Sequence, residues 1–201
     1  MIRQLAALLL AAGSQLAAAE CSCLWGGPFA KVQADTDLVV SAEVETMIGN
    51  SIDLEVRELL RGTEYRERIR VWLDKDDLCR AEVGTFPLNS TWVMALHRID
   101  EVPDGGFDPA TPNESYGRVG DYSLSRCGGF WLQQAENLVS GNLVKGARWD
   151  MEPKMSPVLI DLVAGFVRGE IDADTLKEAS EVDPELQQLI LDTRLFLRQN
   201  R

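Results

Sequence analysis

The chain has 201 residues, with 32 Asp and Glu against 20 Lys and Arg, one histidine and a formal charge of −12 at neutral pH. A surface so acidic repels phosphate backbones and anionic membranes, which sets nucleic acid aside as a partner. The length suffices for one domain with an appendage, and an even count of four cysteines raises the question of compartment.

Residues 1–19 read as an export signal: Arg3 gives a positive start, Leu5 to Ala12 an apolar core, and Ala17-Ala18-Ala19 the small residues a signal peptidase needs. The apolar run falls well short of the ~20 residues that span a bilayer, and no later stretch is longer, so membrane insertion is not expected. Cleavage is expected after Ala19. Glu20, standing before Cys21, argues against lipid attachment at that cysteine. Export would remove one basic and no acidic residue, leaving a net charge of about −13. In a secreted, periplasmic or extracellular chain, four cysteines read as two disulfides.

Cys21-Ser22-Cys23-Leu24 opens the mature chain, and Trp25-Gly26-Gly27-Pro28 turns it. Pro28 suits the first position of one or two helical turns through Phe29 and Val32, which Asp35-Thr36-Asp37 breaks. Residues 38–46 start as a buried run and become alternating, the pattern of a strand leaving a core. After a turn at 48–51, Ile52, Leu54, Val56 and Leu59 alternate against Asp53, Glu55 and Arg57, a half-buried strand. A third strand follows at 68–73, with Ile69, Val71 and Leu73 on one face. Asp74 to Asp77 form a charged loop that lacks the EF-hand pattern and reads as solvated. Residues 91–97 make the next strand, 103–117 a long Pro- and Gly-rich excursion, 122–132 bring Cys127 with Gly128-Gly129, and 139–144 offer one more strand.

Five or six strands with a small early helix predict a mainly β fold, an antiparallel OB-fold-like barrel stapled by disulfides. Beyond Trp149 the period changes. Ser156-Pro157 reads as a cap and first turn, with Val158, Leu159, Leu162, Val163, Phe166 and Val167 at helical spacing. Shorter helices are expected over 174–179 and from Asp183-Pro184, where Leu186, Leu189, Ile190, Leu195 and Leu197 read as core-facing. The expected division is a signal over 1–19, the barrel over 20–147 and a helical C-terminal extension over 148–201.

Four cysteines allow three pairings, of which Cys21 with Cys23 would close a strained ring. The other two stay open. Residues two apart on an extended segment face the same way, so both sulfurs can meet one side of a barrel. A Cys-x-Cys metal site would need reduced thiolates and, usually, histidine partners, whereas His97 is the one histidine. No intrinsic metal or other cofactor is therefore expected. No Gly-x-Ser-x-Gly elbow, phosphate loop or His-Glu-x-x-His occurs, so the chain is not expected to be an enzyme.

In the Cys-Ser-Cys start, the entry 34–42 into the first strand, and the spacing of Cys79 and Cys127, the chain resembles the amino-terminal domain of the tissue inhibitors of metalloproteinases and, more widely, the netrin-like domains. The likeness covers residues 21–144. It implies a five-stranded OB barrel with disulfides Cys21–Cys79 and Cys23–Cys127. It also implies that residues 21–24 form a ridge entering the cleft of a zinc metalloendopeptidase. Cys21 would chelate the target's zinc through its free α-amine and carbonyl oxygen, and Ser22 would enter the specificity pocket. This sequence departs from that family in lacking a third disulfide, in its helical tail, and in carrying Glu20 ahead of Cys21. The alternative expectation is a non-inhibitory extracytoplasmic module that binds a protein or glycan on the same barrel.

Overall fold

A computed structural model describes residues 21–75, 78–106, 109–145 and 155–199. The expected export signal, Glu20, Asp76 and Asp77, and the expected boundary at 147/148 lie outside the described residues.

The chain enters through one helical turn, α1 (Phe29–Val32), which buries Phe29 and Val32. A 3-10 turn over Gln33–Asp35 ends it, with the Thr36 hydroxyl donating to the Gln33 carbonyl at 2.7 Å. Two long strands follow, β1 (Leu38–Ile48) and β2 (Ser51–Arg61), paired antiparallel. Their turn needs glycine: Gly49 has φ 58°, and a Cβ there would fall 1.7 Å from the Asn113 carbonyl oxygen. The expected alternation in β2 holds at Ile52 and Leu54, buried between half-buried Asp53 and Glu55, but Val56 is half-buried and Leu59 exposed, because register shifts against β1 put Leu60 inside instead.

β3 (Arg68–Trp72), β4 (Thr91–Arg98) and the short β5 (Tyr122–Ser123) complete a ring. β1 pairs with β2 and with β4, β2 with β3, β3 with β5, and β5 with β4, closing a five-stranded barrel. The fold is thus mainly β, as the strand pattern predicts. One seam departs from an all-antiparallel barrel, because β3 and β5 run parallel through Val71↔Tyr122 and Trp72↔Ser123. Two parallel pairs make a weak ladder, and side chains reinforce it. The Trp72 indole N–H donates to Asp121 at 3.0 Å, and the Tyr122 hydroxyl and the Arg66 guanidinium both donate to Glu64 at 2.8 Å.

The expected segment 122–132 is split. β5 takes the end of β4 at His97 and Arg98, the chain crosses the Cys127 turn, and β6 (Trp131–Ala135) takes the same edge of β4 at Thr91 to Met94. The sheet then continues through β7 (Leu138–Gly141) and β8 (Val158–Leu159).

The tail corrects two expectations. The helix placed over 156–169 begins later, as α2 (Ile160–Val167), because Val158 and Leu159 are extended and pair with Val139 and Leu138. Ser156 is accordingly no cap; its hydroxyl donates to the Glu181 carbonyl at 2.8 Å. α2 buries Val163, Ala164 and Val167 in the same core cluster as the barrel strands. α3 (Ala173–Ala179) forms as expected, capped by Asp172, which accepts from the Thr175 N–H at 2.8 Å. In α4 (Pro184–Gln199) three of the residues expected in the core, Leu189, Leu195 and Leu197, are exposed, while the side chains of the other two, Leu186 and Ile190, lie outside the described residues.

The long excursion is tied down. Asn50 donates to the carbonyls of Leu73 and Ser115 and accepts from the Ser115 N–H. The Arg80 guanidinium donates to the Tyr116 carbonyl at 2.7 Å, and burial holds its pKa down to about 10.

Candidate functional site

The receiving half of the ridge is built before its own residues matter. Arg80 and Ser125 form an isolated antiparallel bridge, with Ala81 N–H donating to Leu124 O and Arg126 N–H to Cys79 O. That bridge sets Cys79 and Cys127 side by side, Cys79 at a left-handed φ of 54°. Both disulfides land there: Cys21 pairs with Cys79 at a Cα separation of 5.0 Å, and Cys23 with Cys127 at 5.8 Å. All four sulfurs lie within 4.8 Å of one another. Among the described residues no other group of His, Cys, Asp and Glu is close enough to share a metal, and these thiols are spent as disulfides.

Pinning alternate residues turns their neighbours outward. Cys21 and Cys23 are half-buried, Ser22 is exposed, and Leu24 is 93% exposed. Backbone bonds then fix the segment behind the ridge: Gly26 N–H donates to Cys127 O at 2.6 Å, and Gly129 N–H donates to Gly27 O at 2.9 Å. Phe29 N–H and Ala30 N–H donate to Asn142 O and Leu143 O. The four predicted ridge residues are thus brought together with both predicted partners. Glu20, which would decide the state of the Cys21 nitrogen, lies outside the described residues.

Beside the ridge opens a pocket of about 690 Å³, which sequence reasoning does not identify. Trp25, Trp92 and Trp131 line it, with Glu82, Arg126 and Gln133 among its polar groups. Strand register explains the grouping. Trp131 and Gln133 are two apart on β6, and Trp92 lies opposite Gln133 on β4, so all three share a face. Phe86 sets two of the rings, packing edge-on at 5.2 Å from Trp92 and 5.6 Å from Trp131. The signal available in the sequence is three of the five tryptophans falling in segments that the disulfides and β4 bring together.

His97 stands apart from this pocket, half-buried with its ring 5.6 Å from Phe130. In the charged loop Lys75 pairs with Glu114 at 3.2 Å. No helix among the described residues is long and apolar enough to cross a membrane. Compared with protein-family models, curated proteins and solved structures, the chain matches none.

Proposed function

We propose that this chain is a non-catalytic, extracytoplasmic binding protein that blocks zinc metalloendopeptidases by seating residues 21–24 in their catalytic cleft. The observation that supports this reading is the doubly stapled ridge, with Cys21 and Cys23 held inward while Ser22 and Leu24 are presented to solvent. A segment already rigid in its exposed form loses little conformational freedom on docking, which favours tight and slow-dissociating complexes. Two disulfides suit an oxidising compartment such as the periplasm or the exterior.

The chemistry follows the resemblance. A catalytic zinc keeps one coordination position open for water. A primary amine and a carbonyl oxygen at Cys21 would fill it and displace the nucleophile, with Ser22 entering the adjoining specificity pocket and Leu24 covering its rim. This requires the mature chain to begin at Cys21. If Glu20 remains, the Cys21 nitrogen is an amide and a poor ligand.

The test compares two purified proteins, one starting at Cys21 and one at Glu20, in titrations against a panel of zinc endopeptidases. The expected outcome is inhibition by the Cys21 form at micromolar concentration or below, with the Glu20 form weaker by at least about tenfold, the loss of one metal-ligand interaction. Equal potency of the two forms would remove the chelation step. No slowing by either form would sink the proposal for the enzymes tried.

A further inference from the structure

We infer that the tryptophan-lined pocket beside the ridge is a carbohydrate site that takes a short neutral oligosaccharide. The inference goes beyond the protease reading and does not depend on it. The pocket, at about 690 Å³, lies within the ~300–1,000 Å³ range of small-molecule sites.

Its walls are of two kinds. Trp25 and Trp131, both partly exposed, supply flat indole surface, which matches the apolar C–H faces of a pyranose ring, and Trp92, only 8% exposed, backs them. The rings are held in place beforehand: Trp92 and Trp131 pack edge-on against buried Phe86, and the Trp92 N–H is already donated to the Ser90 hydroxyl at 2.6 Å. Trp25 sits between the Cys23–Cys127 disulfide and the Gly26 to Cys127 backbone bond. Part of the lining is glycine backbone, at 128, 129 and 141, where a Cβ would fall within about 3 Å of packed neighbours.

The polar wall decides the class. Glu82 is an acceptor, Arg126 a donor, and Gln133, Ser140 and Asn142 can do both. Glu82 and Arg126 form no ion pair with each other, and neither side chain engages another described residue. Sugar hydroxyls donate and accept at once, so they satisfy the carboxylate and the guanidinium together. An apolar peptide side chain would cover both groups without hydrogen-bonding either, which is costly. A polyanionic ligand would face Glu82 and a chain of net charge −12.

The test is titration of the disulfide-intact protein, followed by tryptophan emission and by calorimetry, with cellotriose, maltotriose, triacetylchitotriose and, as the acidic arm, trigalacturonate. At least one neutral trisaccharide should bind saturably below about 10 mM, the weak end of measurable affinity. Trp131→Ala should weaken that binding by about tenfold or more, from lost stacking. Because Trp131 also packs on Phe86, Glu82→Gln is the second variant; exposed on the surface, it should weaken binding several-fold with an unchanged melting temperature. Saturable binding that both variants leave intact would overturn the assignment. So would the absence of saturation by all three neutral sugars, or tighter binding of trigalacturonate than of any neutral one. Protease inhibition in the same preparations is read separately, so failure of one activity is not failure of the other.

Discussion

Glu64 concentrates the most charge chemistry into one side chain of the barrel seam. It accepts from the Arg66 guanidinium and from the Tyr122 hydroxyl, both at 2.8 Å, and from the backbone N–H of Tyr65 and Arg66. The Arg66 bond is the main reason its pKa is held down to about 2 from an ordinary 4.5, while burial, with the Glu64 bond, pushes Tyr122 up to about 12. A depressed carboxyl stabilises the fold fully above its unfolded pKa and loses that contribution as pH falls through the folded value. Glu64→Gln should therefore cost about 1–2 kcal/mol at pH 7, a charged hydrogen bond discounted for partial exposure. It should also flatten the acid dependence of stability between pH 4.5 and 2. Urea midpoints of both proteins across that range provide the check, and an unchanged acid slope would assign the dependence to other carboxylates. None of this was legible beforehand: in a chain with 32 acidic residues, Glu64 carries no local mark that Arg66 and Tyr122 will converge on it. Cys21 and Cys23 did carry a mark, because two cysteines separated by one residue restrict what they can do.

Elements were readable where the signal is local. Alternation over the start of β2 and the glycine turn at Gly49 depend on neighbouring residues and appear where expected, whereas register shifts against β1 carry Leu59 outside. The start of α2 was not readable, because Val158 and Leu159 are claimed by Leu138 and Val139, about twenty residues upstream. In α4 the expectation failed at Leu189, Leu195 and Leu197, because helical spacing shows that an apolar face exists, not which of its residues are covered. Phe196 is 65% exposed and Leu189 62%. Truncation before Pro184 should therefore shift stability by no more than about 0.5 kcal/mol, the scale of surface changes, as measured by thermal melts. A larger loss would show that α4 contributes to the core. The Cys23–Cys127 staple behaves oppositely. It closes a separation of 104 residues, for which chain entropy allows up to ~5 kcal/mol, so Cys23→Ala with Cys127→Ala should cost about 2–4 kcal/mol in denaturant unfolding. A cost below about 1 kcal/mol would mean that the Gly26 to Cys127 bond and α1 hold the terminus by themselves.

For the molecule as a whole, the barrel, its two disulfides and the outward turn of Ser22 and Leu24 form a single construction. The bridge at Arg80 and Ser125 brings two distant loops together, the loops hold the cysteines, and the cysteines present the ridge. With a net charge of −12 on the chain, the ridge carries uncharged Ser22 and Leu24 among many acidic residues. The fold class could be read from strand alternation, and the ridge only from the family resemblance, whereas the pocket could not be read, since it depends on register between β4 and β6.

Residues 21–24 are proposed as the surface that engages a zinc endopeptidase. The inhibition constant of the Cys21-initiated protein, measured beside its Ser22→Glu variant on one susceptible enzyme, tests this most directly. Ser22 is exposed, so the variant should keep its disulfides and melting temperature while inhibition weakens by at least about tenfold. Equal inhibition by the two proteins would place the binding surface elsewhere.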